Sequence, residues 1–144
     1  MNNQLDERQL YLRVIVFRNG FFILLIYLLI DAFMKSNGVN LVEGMWGNIL
    51  IVVSTSAYCM IDMLLREVAD LEKQSNRVFY GIFGVLGLVL FVWGVAESVT
   101  KGHSMVTGRS LSEHGARLLM DLAWILVGVA YVYKLRGVRG GEEE

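Results

Sequence analysis

Proline is absent from the 144 residues, and cysteine occurs once, at Cys59. Without proline the commonest cause of a kinked or broken helix is missing, and with it a frequent device of transporters, so fairly straight helices are expected. A lone cysteine closes no disulfide within the chain and leaves the redox compartment open. Charge is also scarce: Asp, Glu, Lys and Arg make up 19% of the residues and nearly cancel, at a net −1. Such a balance gives no basis for nucleic-acid binding. The motifs of common chemistries are missing as well. There is no Gly-rich phosphate loop, no metalloprotease His-Glu pattern, and no nucleophile beside a base at a recognisable spacing. The expectation is a protein that is not an enzyme and that carries no cofactor and no metal.

What fills the chain is apolar surface. Hydrophobic residues make up 55% of it and the mean hydropathy is positive, outside the usual balance of a soluble domain. About 20 apolar residues cross roughly 30 Å of hydrocarbon, and four stretches qualify: residues 14–34, 45–65, 78–99 and 115–135. The fold class is therefore all-α, an integral membrane four-helix bundle forming a single membrane domain over residues 1–144. Residues 1–13 are polar, with Asp6 and Glu7 suited to the positive end of a starting helix, and read as a short interfacial helix. The same two acids spoil a basic leader, so the first span is expected to stay attached. Ser110 and Glu113 stand three apart in a capping-box pattern, which starts the fourth helix near Leu111. The tail, residues 137–144, reads as flexible and solvated.

Orientation follows from the basic residues. Arg8, Arg13, Arg66, Lys73, Arg77, Lys134, Arg136 and Arg139 flank one side of the four spans, with Arg18 near the same face; Lys35, Lys101, Arg109 and Arg117 flank the other. This bias places both termini in the cytoplasm, in a multi-pass protein of the inner (plasma) membrane.

Within the spans the polar residues are few and patterned. Asn48, Thr55 and Asp62 recur at seven-residue intervals, a stripe along one helix face that reads as the polar seam of the bundle. Arg18 and Asp62 lie about one turn inside the same boundary on neighbouring spans. A charge in hydrocarbon costs on the order of 2.5 to 3.5 kcal/mol, so they are expected to meet as a structural ion pair, with a proton relay as the sharper use of the same residues. Asp31, Glu43, Glu97 and Asp121 gather near the opposite boundary, with His103 and His114 between the last two spans. Helix-end ion pairs explain these acids most simply; an outward-facing cation site is the alternative. Arg117, four residues before Asp121, is placed to pair with it. Gly81, Gly84, Gly87 and Gly94 mark a helix-packing face on the third span, expected to receive the second. Trp93 and Trp124 lie deep enough to read as core packing.

The segment Asp6-Glu7-Arg8-Gln9, followed by four hydrophobic helices, resembles the small four-span prokaryotic membrane proteins of unknown function that open with an Asp-Glu-Arg motif. The resemblance implies a compact regulatory or accessory membrane protein with no catalytic residues to carry over. The combined expectation is a non-enzymatic accessory subunit. It would work through helix contacts and the charged segments 6–8 and 66–77, with the lipid bilayer and either another protein or a second copy as partners. A small proton- or cation-coupled transporter or channel using Asp62, Glu97 or Asp121 is the alternative.

Overall fold

The computed structural model describes residues 7–69, 71 and 73–140. Four helices account for most of them: α1 (Glu7–Ser36), α2 (Trp46–Leu65), α3 (Gln74–Lys101) and α4 (Glu113–Gly140). A two-residue hairpin, β1 (Val106–Thr107) and β2 (Ser110–Leu111), lies between α3 and α4 and pairs antiparallel. All four helices are long and apolar enough to cross a membrane. In the most apolar window of each, only 17–22% of the residues are buried inside the chain. Trp93 is 71% exposed and Val99 80%. Leaving such side chains in water forfeits about 1.5 to 3 kcal/mol for each large one, so a non-aqueous surround is the consistent environment.

Several boundaries differ from the sequence expectation. Three expected spans lie inside longer helices, because the polar flanks continue the helical hydrogen bonding beyond the apolar stretch. The expected interfacial helix is no separate element: from Glu7 onward it is the first turns of α1, while residues 1–6 lie outside the described region. Residues 137–140, expected to be flexible, continue α4, and 141–144 lie outside the described region.

Two helices end in the same way. At the end of α1, Gly38 takes a left-handed conformation (φ 74°), and Val39 N–H reaches back to Met34 C=O at 3.0 Å. At the end of α2, Glu67 takes the same conformation (φ 60°), and Val68 N–H reaches Met63 C=O at 3.0 Å. Both are Schellman closures, but only the first uses the residue that tolerates that conformation without cost.

The helices pack in the order α1, α2, α4, α3. The α3–α4 contact is the most extensive, α4 also packs along α2, and α1 rests on α2. This corrects the expectation that the second and third spans meet along the glycine face, because Gly84, Gly87 and Gly94 of α3 face α4 instead. A Cβ on Gly84 would lie 2.7 Å from Gly128 Cα, one on Gly87 2.6 Å from Trp124 Cβ, and one on Gly94 2.7 Å from Leu118 Cδ2. Gly81 is less demanding, its nearest neighbour being Tyr131 Cε1 at 3.8 Å. The reason lies in α4, where Gly128 supplies a second bare backbone against which α3 can close. A smaller version of this contact fixes α1 to α2, where Gly20 lies directly against Cys59 Sγ. Where α2, α3 and α4 meet, Ala57, Leu64, Leu71, Tyr80 and Val127 form the buried core.

Candidate functional site at the loop end of the helices

The loops opposite the chain termini fold onto one another. Leu111 N–H donates to Leu41 C=O at 2.8 Å and Glu43 N–H to Leu111 C=O at 3.0 Å, joining the α1–α2 loop to β2. Ser110 Oγ donates to Asn40 C=O at 2.5 Å. Ser112 Oγ accepts from Gly115 N–H at 3.1 Å and donates to Ser104 C=O at 2.7 Å. Ser112 is therefore the helix cap, and α4 begins at Glu113 rather than near Leu111. The expected cap, Ser110, binds the neighbouring loop instead. A serine near a helix start caps whichever amide the backbone presents to it, and β2 holds Ser110 extended.

Between these loops and the ends of α3 and α4 lies a polar cleft of ≈370 Å³. Glu43, Glu97, His103, Glu113, His114 and Arg117 give it its charge character. The His103 and His114 rings lie 5.4 Å apart, and Ser98 Oγ is 2.8 Å from His114 Nε2. The sequence reading missed this serine–histidine contact. Its members are sixteen residues apart on different helices, and the only available signal was that both fall near the ends of spans joined by one loop. The pairing has the first two parts of a nucleophilic triad. Among the described residues, however, no carboxylate bonds the other imidazole nitrogen, and Gly115 N–H is already taken by the Ser112 cap.

The expected cation site does not assemble as four acids. Asp31 is answered by Lys35 at 2.7 Å and Glu97 by Lys101 at 2.6 Å, each one turn further along its own helix. Glu43 and Glu97 both line the cleft, while Asp31 and Asp121 are not part of its wall. Among the described residues no three His, Cys, Asp or Glu side chains form a group able to hold a metal ion. Arg117 makes its ion pair with Glu113 and not with Asp121. Its guanidinium bonds Glu113 at 3.2 Å and lies 5.6 Å from the Trp46 ring centre. Asp121 is 5% exposed, and among the described residues its carboxylate makes no hydrogen bond.

At the other end, Asp62 pairs with Arg66 at 2.7 Å, a partner four residues along the same helix, and not with Arg18. Arg18 is exposed and has no acidic partner among the described residues. It stands about 200° round α1 from the buried Val16 and Gly20, so equal depth does not bring it to Asp62. The second Asp62 oxygen, Oδ2, is buried without a hydrogen-bond partner.

The polar seam is only partly a seam. Thr55 is buried against α1, Asn48 is exposed, and Asp62 is held within α2. The hydroxyls of Ser54, Thr55 and Ser56 each donate to the carbonyl four residues earlier, so they are satisfied inside the helix rather than across helices. Trp124 packs against Phe83 with ring centres 4.6 Å apart, as core packing requires, but Trp93 points out of the assembly.

One ion pair ties the connector after α2 to α4: Glu67 Oε1 lies 2.6 Å from Lys134 Nζ. The hydrogen bond from Lys134 and its charge hold Glu67 below the usual carboxylate range, and the charge of Arg8 adds to the effect. This contact joins the connector after α2 to the end of α4 at the pole opposite the polar cleft. No protein family, characterised protein or solved structure matches the chain.

Proposed function

We propose that the chain is a multi-pass protein of a prokaryotic inner (plasma) membrane, with both termini cytoplasmic, acting as a non-enzymatic regulatory or accessory subunit. The observation that carries this reading is how the polar side chains in the spans are satisfied. Ser54, Thr55 and Ser56 bond their own helix, and Asp31, Asp62 and Glu97 are each paired with a basic residue one turn away. Polar groups satisfied locally leave the outward apolar faces of α1 and α3 as the main surfaces offered to other molecules in the membrane. The excess of basic residues at the pole of the termini supports the orientation.

A photo-crosslinking amino acid placed at Phe33 of α1 or at Trp93 of α3, both exposed, tests the reading in native membranes. One protein adduct in near-stoichiometric yield is expected from at least one position. Adducts to lipid alone, or to a second copy alone, would sink the accessory-subunit reading.

A second reading, a small proton- or cation-coupled transporter or channel, is favoured by two carboxylates: Asp121, nearly buried and without a hydrogen bond among the described residues, and Asp62, with one buried oxygen unpartnered. Proteoliposome flux lost in Asp121→Asn or Asp62→Asn would support it. Absence of flux under proton, sodium and potassium gradients would remove it.

A further inference from the structure

A groove of ≈440 Å³ runs between α1, α2 and α3, on the side of the assembly away from α4. Phe17 and Leu24 form its α1 wall, Cys59 and Met63 its α2 wall, and Phe79 and Tyr80 its α3 wall. It opens sideways, since Phe17 is 60% exposed and Phe79 49%. Its size falls in the range of small-molecule sites, about 300 to 1,000 Å³, but its lining is almost wholly apolar.

Each wall, followed one turn toward the pole of the chain termini, reaches an arginine. Arg13 stands four residues before Phe17, Arg66 three after Met63, and Arg77 three before Tyr80. Spacings of three and four keep Arg13 and Arg77 on the helix face that lines the groove, just beyond its end, and Arg66 is the residue that closes α2. Arg66 is anchored through Nε to Asp62 Oδ1 at 2.7 Å, and Arg77 through Nε to Leu71 C=O. Asp62 offsets one of the three charges. At the far end of the groove the walls finish on apolar side chains, Leu24 and Val52. The site is thus polarised, apolar along its length and cationic at one mouth.

We propose that this groove holds an acyl chain of an anionic phospholipid, with the headgroup phosphate at the rim formed by Arg13, Arg66 and Arg77. Guanidinium groups match phosphate geometry, and a cationic rim selects a lipid of net negative charge over a zwitterionic one. The proposal rests on the reading of the four helices as membrane-spanning. The lipid belongs to the leaflet facing the chain termini, because the arginines lie at that mouth alone.

The test reconstitutes the full chain in vesicles of equimolar phosphatidylglycerol and phosphatidylcholine with identical tails. The protein is then extracted gently, and retained lipid is counted by native mass spectrometry. Wild type should retain one phosphatidylglycerol at least fivefold in excess over phosphatidylcholine. Arg13→Gln should abolish most of that excess. Ser56→Phe, at an exposed serine on the groove wall, should reduce retention of both lipids. Arg18→Gln, about 100° round α1 from Phe17, should leave the excess intact. Equal retention of the two lipids by wild type would overturn the proposal, as would an equal loss in Arg13→Gln and Arg18→Gln. Displacement of the lipid by millimolar inorganic phosphate would also overturn it, by showing an anion site with no acyl requirement. Should Arg13→Gln fail to fold, the wild-type ratio and Ser56→Phe still decide. Release of the chain from membranes by alkaline carbonate would overturn the membrane-spanning reading and this proposal together, whereas retention without lipid selectivity overturns this proposal alone.

Discussion

Gly84 of α3 and Gly128 of α4 meet backbone to backbone: a Cβ built on either lies 2.7 Å from the Cα of the other. No side chain fits there without moving the helices apart, and the α3–α4 contact is the largest in the chain. Gly84→Ala or Gly128→Ala is therefore expected to cost about 1 to 3 kcal/mol, the usual range for overpacking. Gly81→Ala, whose new methyl would sit 3.8 Å from Tyr131, should change little. Thermal unfolding in mild detergent, followed by tryptophan fluorescence, separates the two outcomes, since Trp124 packs in this contact. Equal melting temperatures for Gly81→Ala and Gly84→Ala would refute the close-approach explanation.

The attachment of α1 rests on a similar contact with a different partner. Gly20 lies against the sulfur of Cys59, so Gly20→Ala should loosen α1 and destabilise the chain. Cys59→Ala removes that sulfur. The double variant should recover most of the loss, a coupling of about 0.5 to 3 kcal/mol for residues in contact. Additive losses in the two single variants and the pair would show that Gly20 is needed for another reason.

Ser112 and Ser110 give a contrast at the start of α4. Ser112 Oγ accepts the Gly115 amide, and its loss in Ser112→Ala should cost about 1 kcal/mol. Ser110→Ala removes one exposed bond to the Asn40 carbonyl and should cost less. Chemical denaturation in mixed micelles would measure both, and a larger loss for Ser110 would return the cap to the position expected from the motif.

The Glu67–Lys134 pair predicts an acid-side effect. Because the folded state holds Glu67 below its ordinary value of 4.5, the pair's contribution is fully present above that value. It is lost as pH falls through the lowered folded value. The effect is small, since the Glu67 side chain is 75% exposed. Lys134→Ala should flatten this part of the pH–stability curve by lowering stability slightly at neutral pH, and leave it unchanged at the acid end, where the pair is already lost. Glu67→Gly should also flatten it, yet raise the melting temperature by a few degrees, because glycine accepts the left-handed backbone that glutamate holds at φ 60°.

Composition and hydrophobic run length were enough to determine that the chain forms four helices able to cross a membrane, since that depends on local apolar content and helix length. The small-residue face of α3 was also legible, because Gly81, Gly84, Gly87 and Gly94 recur at helical spacings. Which helix that face meets was not. The partner depends on where Gly128 falls around α4, and an interhelical register is not written in either helix alone. The same limit applies to Arg18 and Asp62: matching depth suggested a pair, but the direction each side chain leaves its helix depends on which faces pack. Asp62 found Arg66 one turn away, and Arg18 faces outward. Tertiary structure alone brought Ser98 to His114 and made α1, α2 and α3 the walls of one apolar groove, because both arrangements join residues from helices that only packing sets side by side.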